Sequence, residues 1–348
     1  MTRAERAPLL RRGRPMAAGF TLLELLVVVA ILSATAMLGF AFTADQSAQL
    51  RQDNTRRALN RIVEAVRGPQ GAVWNGQVRL AGFVADNGRL PTSVSELTDR
   101  DAFVDSGTLV GWSAHSPLFD PQPDDEGWND GGEVSLDADT QLLWKGLRRH
   151  LEATPGASDY RDGWGNVAID GDDDSNYGWL FARVDDALTI GSLGADNATG
   201  NSSAMTYGDD LQVTLAAEDW SVALAGWSVS VTNATAVDLN ERLCASLLVF
   251  DNTVGGARWR RYTSACTDAI AAGAQVELAF SAAGMPGTDL SPARIPQGEH
   301  LLVLVADSDT TAHNGASDAL FLVDGEPVTQ RLSFYAGAAR PDARVVLR

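Results

Sequence analysis

The chain has 348 residues, 45% of them hydrophobic and 21% charged, with a formal net charge of −18. It is long enough for two domains and apolar enough to bury a core, which excludes a disordered polar chain. So acidic a product is also a poor nucleic-acid binder, because phosphate contacts need grouped Lys and Arg.

Residues 1–19 carry Arg3, Arg6, Arg11, Arg12 and Arg14 against Glu5, and have no apolar core of their own. Removing that +4 from −18 leaves about −22. From Phe20 to Phe42 the one charge is Glu24. At about 1.5 Å rise per residue this run makes a helix of roughly 35 Å, enough to cross a hydrocarbon core of about 30 Å. The leader arginines hold the N-terminus in the cytoplasm, so everything after Phe42 is exported. A secretory signal peptide has its apolar region before the cut. A cut after Gly19 instead retains that region as an anchor. The rival cut, at Ala34-Thr35-Ala36, fits the small-residue pattern of ordinary signal cleavage but leaves Glu24 inside the apolar region and Met37 to Phe42 apolar beyond it.

Residues 45–67 continue as a polar helix. Leu50, Leu59, Ile62, Val63 and Val66 recur at three- and four-residue spacing, and Gly68-Pro69 ends the run. No break separates it from the apolar stretch, so one helix is expected over 20–67. A second helix is expected over 76–97, interrupted at Asn87-Gly88 and Pro91, with a short piece at 93–97. Residues 101–159 read as an insertion, with an acidic loop at 120–130 and a short helix at 140–151. Residues 160–210 read as strand and loop. The run Asp170-Gly171-Asp172-Asp173-Asp174-Ser175-Asn176 alternates oxygen ligands but has Ser175 and Phe181 where a calcium-binding EF loop needs Gly and Glu, so a charged turn is expected. From Leu211 the texture changes to short strands at 211–215, 225–231, 243–250, 258–262, 275–280, 300–306, 320–323, 331–335 and 344–347, punctuated by Gly, Asp, Asn and Pro. These predict an antiparallel β-sandwich. Cys244 and Cys266 are the only cysteines. In an oxidising compartment they form either one bridge, which would staple a hairpin, or two buried thiols.

The stretch Gly19-Phe20-Thr21-Leu22-Leu23-Glu24, behind a basic leader, resembles the processing and assembly signal of type IV pilins and type II secretion pseudopilins. The resemblance implies that Gly19 is the last leader residue read by the prepilin peptidase. Phe20 becomes the methylated mature N-terminus, and Glu24 is the assembly glutamate that answers the Phe20 amine of a neighbouring subunit. A carboxylate in lipid costs about 2.5–3.5 kcal/mol at mid-bilayer and less near the edge, so such a cation has work to do. Three further stretches resemble the head of the major pseudopilin: Asp86-Asn87-Gly88-Arg89-Leu90-Pro91, Asp162-Gly163-Trp164-Gly165-Asn166 and Ser192-Leu193-Gly194-Ala195-Asp196. Gly163 stands where that family usually has proline. The family's structural calcium, carried over, would sit on the Leu193 carbonyl, Asp196, Asp209 and Asp210.

Nothing points to an enzyme. His115, His150, His300 and His313 are scattered, and no nucleophile elbow, phosphate-cradling loop or Cys-x-x-Cys occurs. Trp220, Trp227 and Trp259 are expected in cores. Trp112, Trp128, Trp144, Trp164 and Trp179 lie among polar residues and are candidates for exposure. The expected fold class is α+β: a leader (1–19), a long N-terminal transmembrane and amphipathic helix (20–67, spanning at 20–42), a pilin-like head (68–210, with the insertion 101–159) and an all-β sandwich-like C-terminal domain (211–348). The expected function is that of a structural subunit of a type IV pilus-like or type II secretion pseudopilus filament, a minor or specialised one given its large head. Expected partners are the prepilin peptidase/N-methyltransferase, other pilin or pseudopilin subunits and the bacterial inner membrane, crossed once with the head periplasmic, and no nucleic acid. The alternative is a pilin-displayed binding protein whose β-domain recognises a secreted substrate, glycan or surface.

Overall fold

The computed structural model describes residues 21–69, 73–74, 77–78, 80–98, 133–134, 151, 160–167, 173–200, 210–253, 256–280, 294–307 and 318–348. One helix, α1 (Leu22–Arg67), runs unbroken for 46 residues from an N-cap at Thr21 to Gly68, continuous as the absence of any breaker leads one to expect. Gly68 ends it at φ +80, and Gly82 approaches it from the returning chain at φ +99. A Cβ on Gly82 would lie 2.3 Å from the Gly68 nitrogen, and one on Gly68 would lie 2.1 Å from the Ala81 oxygen, so only glycine fits at either side of this crossing.

That crossing corrects the expected helix over 76–97. The segment folds as a hairpin, β1 (Val73–Trp74) with β2 (Gln77–Val78), followed by two short helices, α2 (Phe83–Asn87) and α3 (Ser95–Thr98). Gly82 starts α2 in a conformation no helix interior contains, and Gly88 closes it in the left-handed region, its N–H donating to Val84 O at 2.8 Å. From the insertion, β3 (Glu133–Val134) is described, and it adds to a later strand; the expected helix over 140–151 and the acidic loop 120–130 lie outside the described residues apart from Leu151.

A three-stranded antiparallel sheet follows, β4 (Leu180–Val184), β5 (Ala187–Ser192) and β6 (Leu211–Leu215), in that spatial order. The strand expected to open the β-sandwich, at 211–215, is therefore the edge of the head sheet instead. After a helical turn at Ala217–Trp220 come β7 (Ser221–Ala223), β8 (Ser228–Asn233), β9 (Leu243–Thr253), β10 (Gly256–Thr263), β11 (Gln275–Ala279), β12 (Arg294–Pro296), β13 (Gly298–Asp307), β14 (Asp318–Leu320), β15 (Leu322–Val323), β16 (Glu326–Pro327), β17 (Thr329–Phe334) and β18 (Ala343–Leu347). The large sheet has the order β14-β13-β9-β10-β3, with β17 sharing the outer edge of β13. A smaller sheet, β11-β8-β18, faces it. Its β8–β18 pair is parallel, which departs from the purely antiparallel sandwich expected.

The large sheet is buried on both sides. Leu302 and Leu304 of β13 point into a core shared with Val229 and Val231 of β8 and Val345 and Leu347 of β18. Leu301, Val303 and Val305 point the other way, into a core with Ile62 and Val66 of α1, Phe83 and Val84 of α2, and Leu188 and Ile190 of β5. The molecule is layered: small sheet, large sheet, then helices and head sheet. The expected boundary at 210/211 does not divide the packing, because the head and the C-terminal strands close one core between them.

Candidate processing and assembly site

The N-terminal site begins at the cap of α1. Gly19 and Phe20 lie outside the described residues. Thr21 has extended backbone, and both its N–H and its hydroxyl donate to Glu24 Oε2 at 3.0 Å, while the Glu24 N–H donates to Thr21 Oγ1 at 3.2 Å. This is a capping box: two orphan donors of the helix start are met by one Thr–Glu pair three residues apart. Oε2 of Glu24 is occupied by these bonds and Oε1 accepts none among the described residues. Sequence reading identified Glu24 but missed Thr21; the Thr-x-x-Glu spacing was the signal.

The helix behind this cap is apolar on every side. The side chains of Leu22, Leu23, Leu25, Leu26, Val27, Val28, Val29, Ile31 and Leu32 are between 46% and 83% exposed. A helix apolar all round is unstable in water and needs lipid or other helices about it. Among the described residues no helix is long and apolar enough to cross a membrane; the described side chains of this run end at Met37, short of the expected span's end at Phe42.

At the far end of α1 the second and third head motifs meet. Asp162 is buried, and its Oδ1 accepts from the N–H of Trp164 (3.0 Å) and of Asn166 (3.1 Å). Its Oδ2 accepts from the Ser192 hydroxyl and from Asn166 Nδ2. Asn166 Nδ2 also donates to Gly194 O at 2.9 Å, and the Gly194 N–H to Ser192 Oγ at 3.2 Å. The network locks to α1 through Gly163, whose N–H donates to Thr55 Oγ1 at 2.9 Å; Thr55 in turn donates to Arg51 O. A Cβ on Gly163 would meet that Arg51 oxygen at 2.2 Å. A glycine at this place lets the loop touch the helix backbone. The first motif forms a separate clasp, in which Arg89 pairs with Glu96 at 2.9 Å and Glu96 accepts from the Thr92 N–H.

The expected calcium ligands are brought only partly into view. Asp209 lies outside the described residues. Asp210 Oδ2 accepts from the Gly200 N–H at 2.8 Å, closing the loop that Asp196 begins, and Asp196 Oδ1 accepts from the Ala198 N–H. Asp210 Oδ1 is buried with no hydrogen-bond partner among the described residues, an orphan oxygen of the kind a hard cation satisfies. Among the described residues no three His, Cys, Asp or Glu side chains converge as a metal cluster. The charged run at 170–176 ends as the helical turn Asp173–Asn176, in which Asn176 Oδ1 accepts from the Val94 N–H and so braces the head.

Cys244 and Cys266 form a disulfide with Cα atoms 4.4 Å apart, joining the start of β9 to the residue run after β10. Of the tryptophans, Trp220 and Trp227 are buried as expected. Trp179, a candidate for exposure, is instead in the core at 1% exposed, with its Nε1 donating to Tyr160 O at 2.7 Å. Trp164 is half-buried beneath the Arg51 guanidinium, 5.7 Å from its ring centre. Trp112, Trp128 and Trp144 lie outside the described residues, as does the side chain of Trp259.

Residues 14–40 match the family model of the prokaryotic N-terminal methylation motif, a span that contains Gly19, Phe20 and Glu24. No curated protein and no solved structure matches the chain.

Proposed function

From residues 14–40, which carry the N-terminal methylation signal of type IV pilins and pseudopilins, we propose that this chain is a structural subunit of a type IV pilus-like or type II secretion pseudopilus filament. The prepilin peptidase/N-methyltransferase cuts after Gly19 and methylates Phe20. Residues 20–42 anchor the product in the inner membrane, N-terminus cytoplasmic and head periplasmic, until α1 packs with other subunits. The role is assembly rather than catalysis, and the large head favours a minor or specialised position.

The observation that carries this reading is the Thr21–Glu24 box at the head of an all-round apolar helix. Inside lipid, Glu24 keeps one oxygen bonded to its own helix start, which offsets part of its desolvation. The other oxygen is left to meet the Phe20 amine of a neighbour. Insertion into a filament then exchanges lipid for helix around the apolar side chains and adds one ion pair in low dielectric, which sets the register of the incoming subunit. Glu24→Ala should leave leader cleavage intact and abolish incorporation into filaments; normal incorporation would remove the role. The mature N-terminus, read by mass spectrometry, should be methylated Phe20, and a start at Met37 would overturn the whole reading.

We extend the proposal to a structural calcium at the Leu193 carbonyl, Asp196, Asp209 and Asp210. The buried, unpartnered Asp210 Oδ1 supports it. Bound there, the ion would neutralise acidic oxygens and order the loop. Chelation should lower the melting temperature of the chain without its first 45 residues, and an unchanged melt would remove the ion from the account. Display of a free β-domain is the less favoured role, because the large sheet buries Leu301, Val303 and Val305 against the head.

A further inference from the structure

The second half of α1 shows solvent a face unlike the rest of this acidic chain. Leu50, Asn54, Arg57, Arg61 and Glu64 recur at four- and three-residue spacing along one side, with Arg56 beside them, and all are exposed. Five of the chain's 27 basic residues lie between Arg51 and Arg67. Arg51 lies on the Trp164 ring, and Arg67 is half-buried at the helix end. Arg57 donates to Asn54 of its own helix and Arg61 bonds Tyr160. Arg56, Arg57 and Arg61 enter no salt bridge among the described residues.

The opposite charge is presented elsewhere. Asp185 and Asp186 form the two-residue turn between β4 and β5, both exposed. The helical turn Ala217–Trp220 is tied to it, Trp220 Nε1 donating to Asp186 O at 2.8 Å, and carries the exposed Glu218. Asp219 is already committed to the Ala216 N–H. Asp185, Asp186 and Glu218 enter no salt bridge among the described residues. The other end of β5, Ser192, is tied through Asp162 and Gly163 to Thr55, so the acidic turn lies about 20 Å along the strand from that anchor. Each patch is bordered by an exposed apolar side chain, Leu50 at 61% by the arginines and Val184 at 68% by the acids.

We propose that the arginine stripe Arg56, Arg57 and Arg61 of one copy docks on the acidic turn Asp185, Asp186 and Glu218 of the next copy, with Leu50 and Val184 meeting beside the charges. The inference rests on the filament reading and names the partner of α1 within it. Two different patches on one chain make a heterologous contact, which, unlike a two-fold one, can propagate from copy to copy as a filament requires. A lipid headgroup is the less fitting occupant: Arg57 stands about 22 Å beyond the end of the apolar run at Phe42, more than two Debye lengths of about 8 Å.

The test uses the full-length chain in exporting cells. Arg56→Glu/Arg57→Glu/Arg61→Glu should reduce recovery in the filament fraction about tenfold, as should Asp185→Arg/Asp186→Arg/Glu218→Arg, and the combined chain should regain it. Arg61 also bonds Tyr160, so the pair Arg56→Glu/Arg57→Glu, which leaves that bond in place, should show the same loss with the melting temperature hardly moved. Both native cysteines are already bridged, so Arg57→Cys with Asp186→Cys reports alone. An oxidised ladder beyond the dimer is expected from the double variant and none from either single one. Normal incorporation of both reversal sets, or their failure to restore one another, overturns the contact while the filament reading stands on the wild-type chain. Absence of the wild-type chain from filaments overturns both.

Discussion

His300 is a single buried group with a pH consequence. It is 2% exposed, its ring 5.5 Å from that of Phe334; Nε2 donates to Pro296 O at 2.8 Å and Nδ1 has no hydrogen-bond partner among the described residues. Burial pushes its pKa down to about 4, against about 6.5 in an unfolded chain. The unfolded state therefore takes the proton first. The contribution is fully present above about pH 6.5 and is lost as pH falls toward 4, on the order of 3 kcal/mol in all. The melting temperature of wild type should fall more steeply than that of His300→Gln between those limits; parallel curves would show that the imidazole is not the cause. Gly163 makes a second prediction at this scale. Gly163→Ala would press a methyl onto Arg51 O, and a loss of about 1–3 kcal/mol in denaturant unfolding is expected. The motif was visible in the sequence, yet its reason for glycine was not, because the atom it would strike lies on a helix more than a hundred residues earlier in the chain.

Among the elements, α1 was legible because its evidence is local: an apolar run, a 3.6-residue pattern and a Gly-Pro stop all act within a few turns. The strands from Leu243 onward were legible for the same reason, and the run from His300 to Ala306 lacked polar alternation because β13 is buried on both faces. The segment at 76–97 was misread. Its apolar spacing fits a helix, while the Gly68–Gly82 crossing that interrupts it is a contact between distant backbones. The pairing of β6 with β5 was equally invisible, since a strand's composition does not name its partner. The Cys244–Cys266 bridge staples the hairpin of β9 and β10 across a sequence separation of 22. Replacing both by Ala should lower stability by about 3 kcal/mol through the loop-closure term, read as a lower denaturant midpoint with a somewhat steeper slope, because the unlinked unfolded chain is less compact. A wild-type midpoint would mean the hairpin is held by its neighbours alone.

For the molecule as a whole, the shared core has a consequence for any dissection. A fragment of residues 211–348 would strip β6 from β5 and expose Leu248, Leu301, Val303, Val305 and Leu320 together. It should aggregate or bind a hydrophobic dye, whereas residues 46–348 should run as a compact monomer on gel filtration; a soluble, cooperative 211–348 fragment would show the two parts to be independent after all. What the sequence determined by itself was the apolar N-terminal run with its one carboxylate, the helix that follows and the positions of most strands, because charge placement, periodicity and turn residues act over short stretches. Only the tertiary structure decided that the head and the β-sheets share one core, that Asp162, Asn166 and Ser192 close a single network on Thr55, and that the arginine face of α1 and the acidic turn after β4 form no salt bridge among the described residues. Those depend on which distant surfaces exclude water together, and no local pattern of residues carries that information.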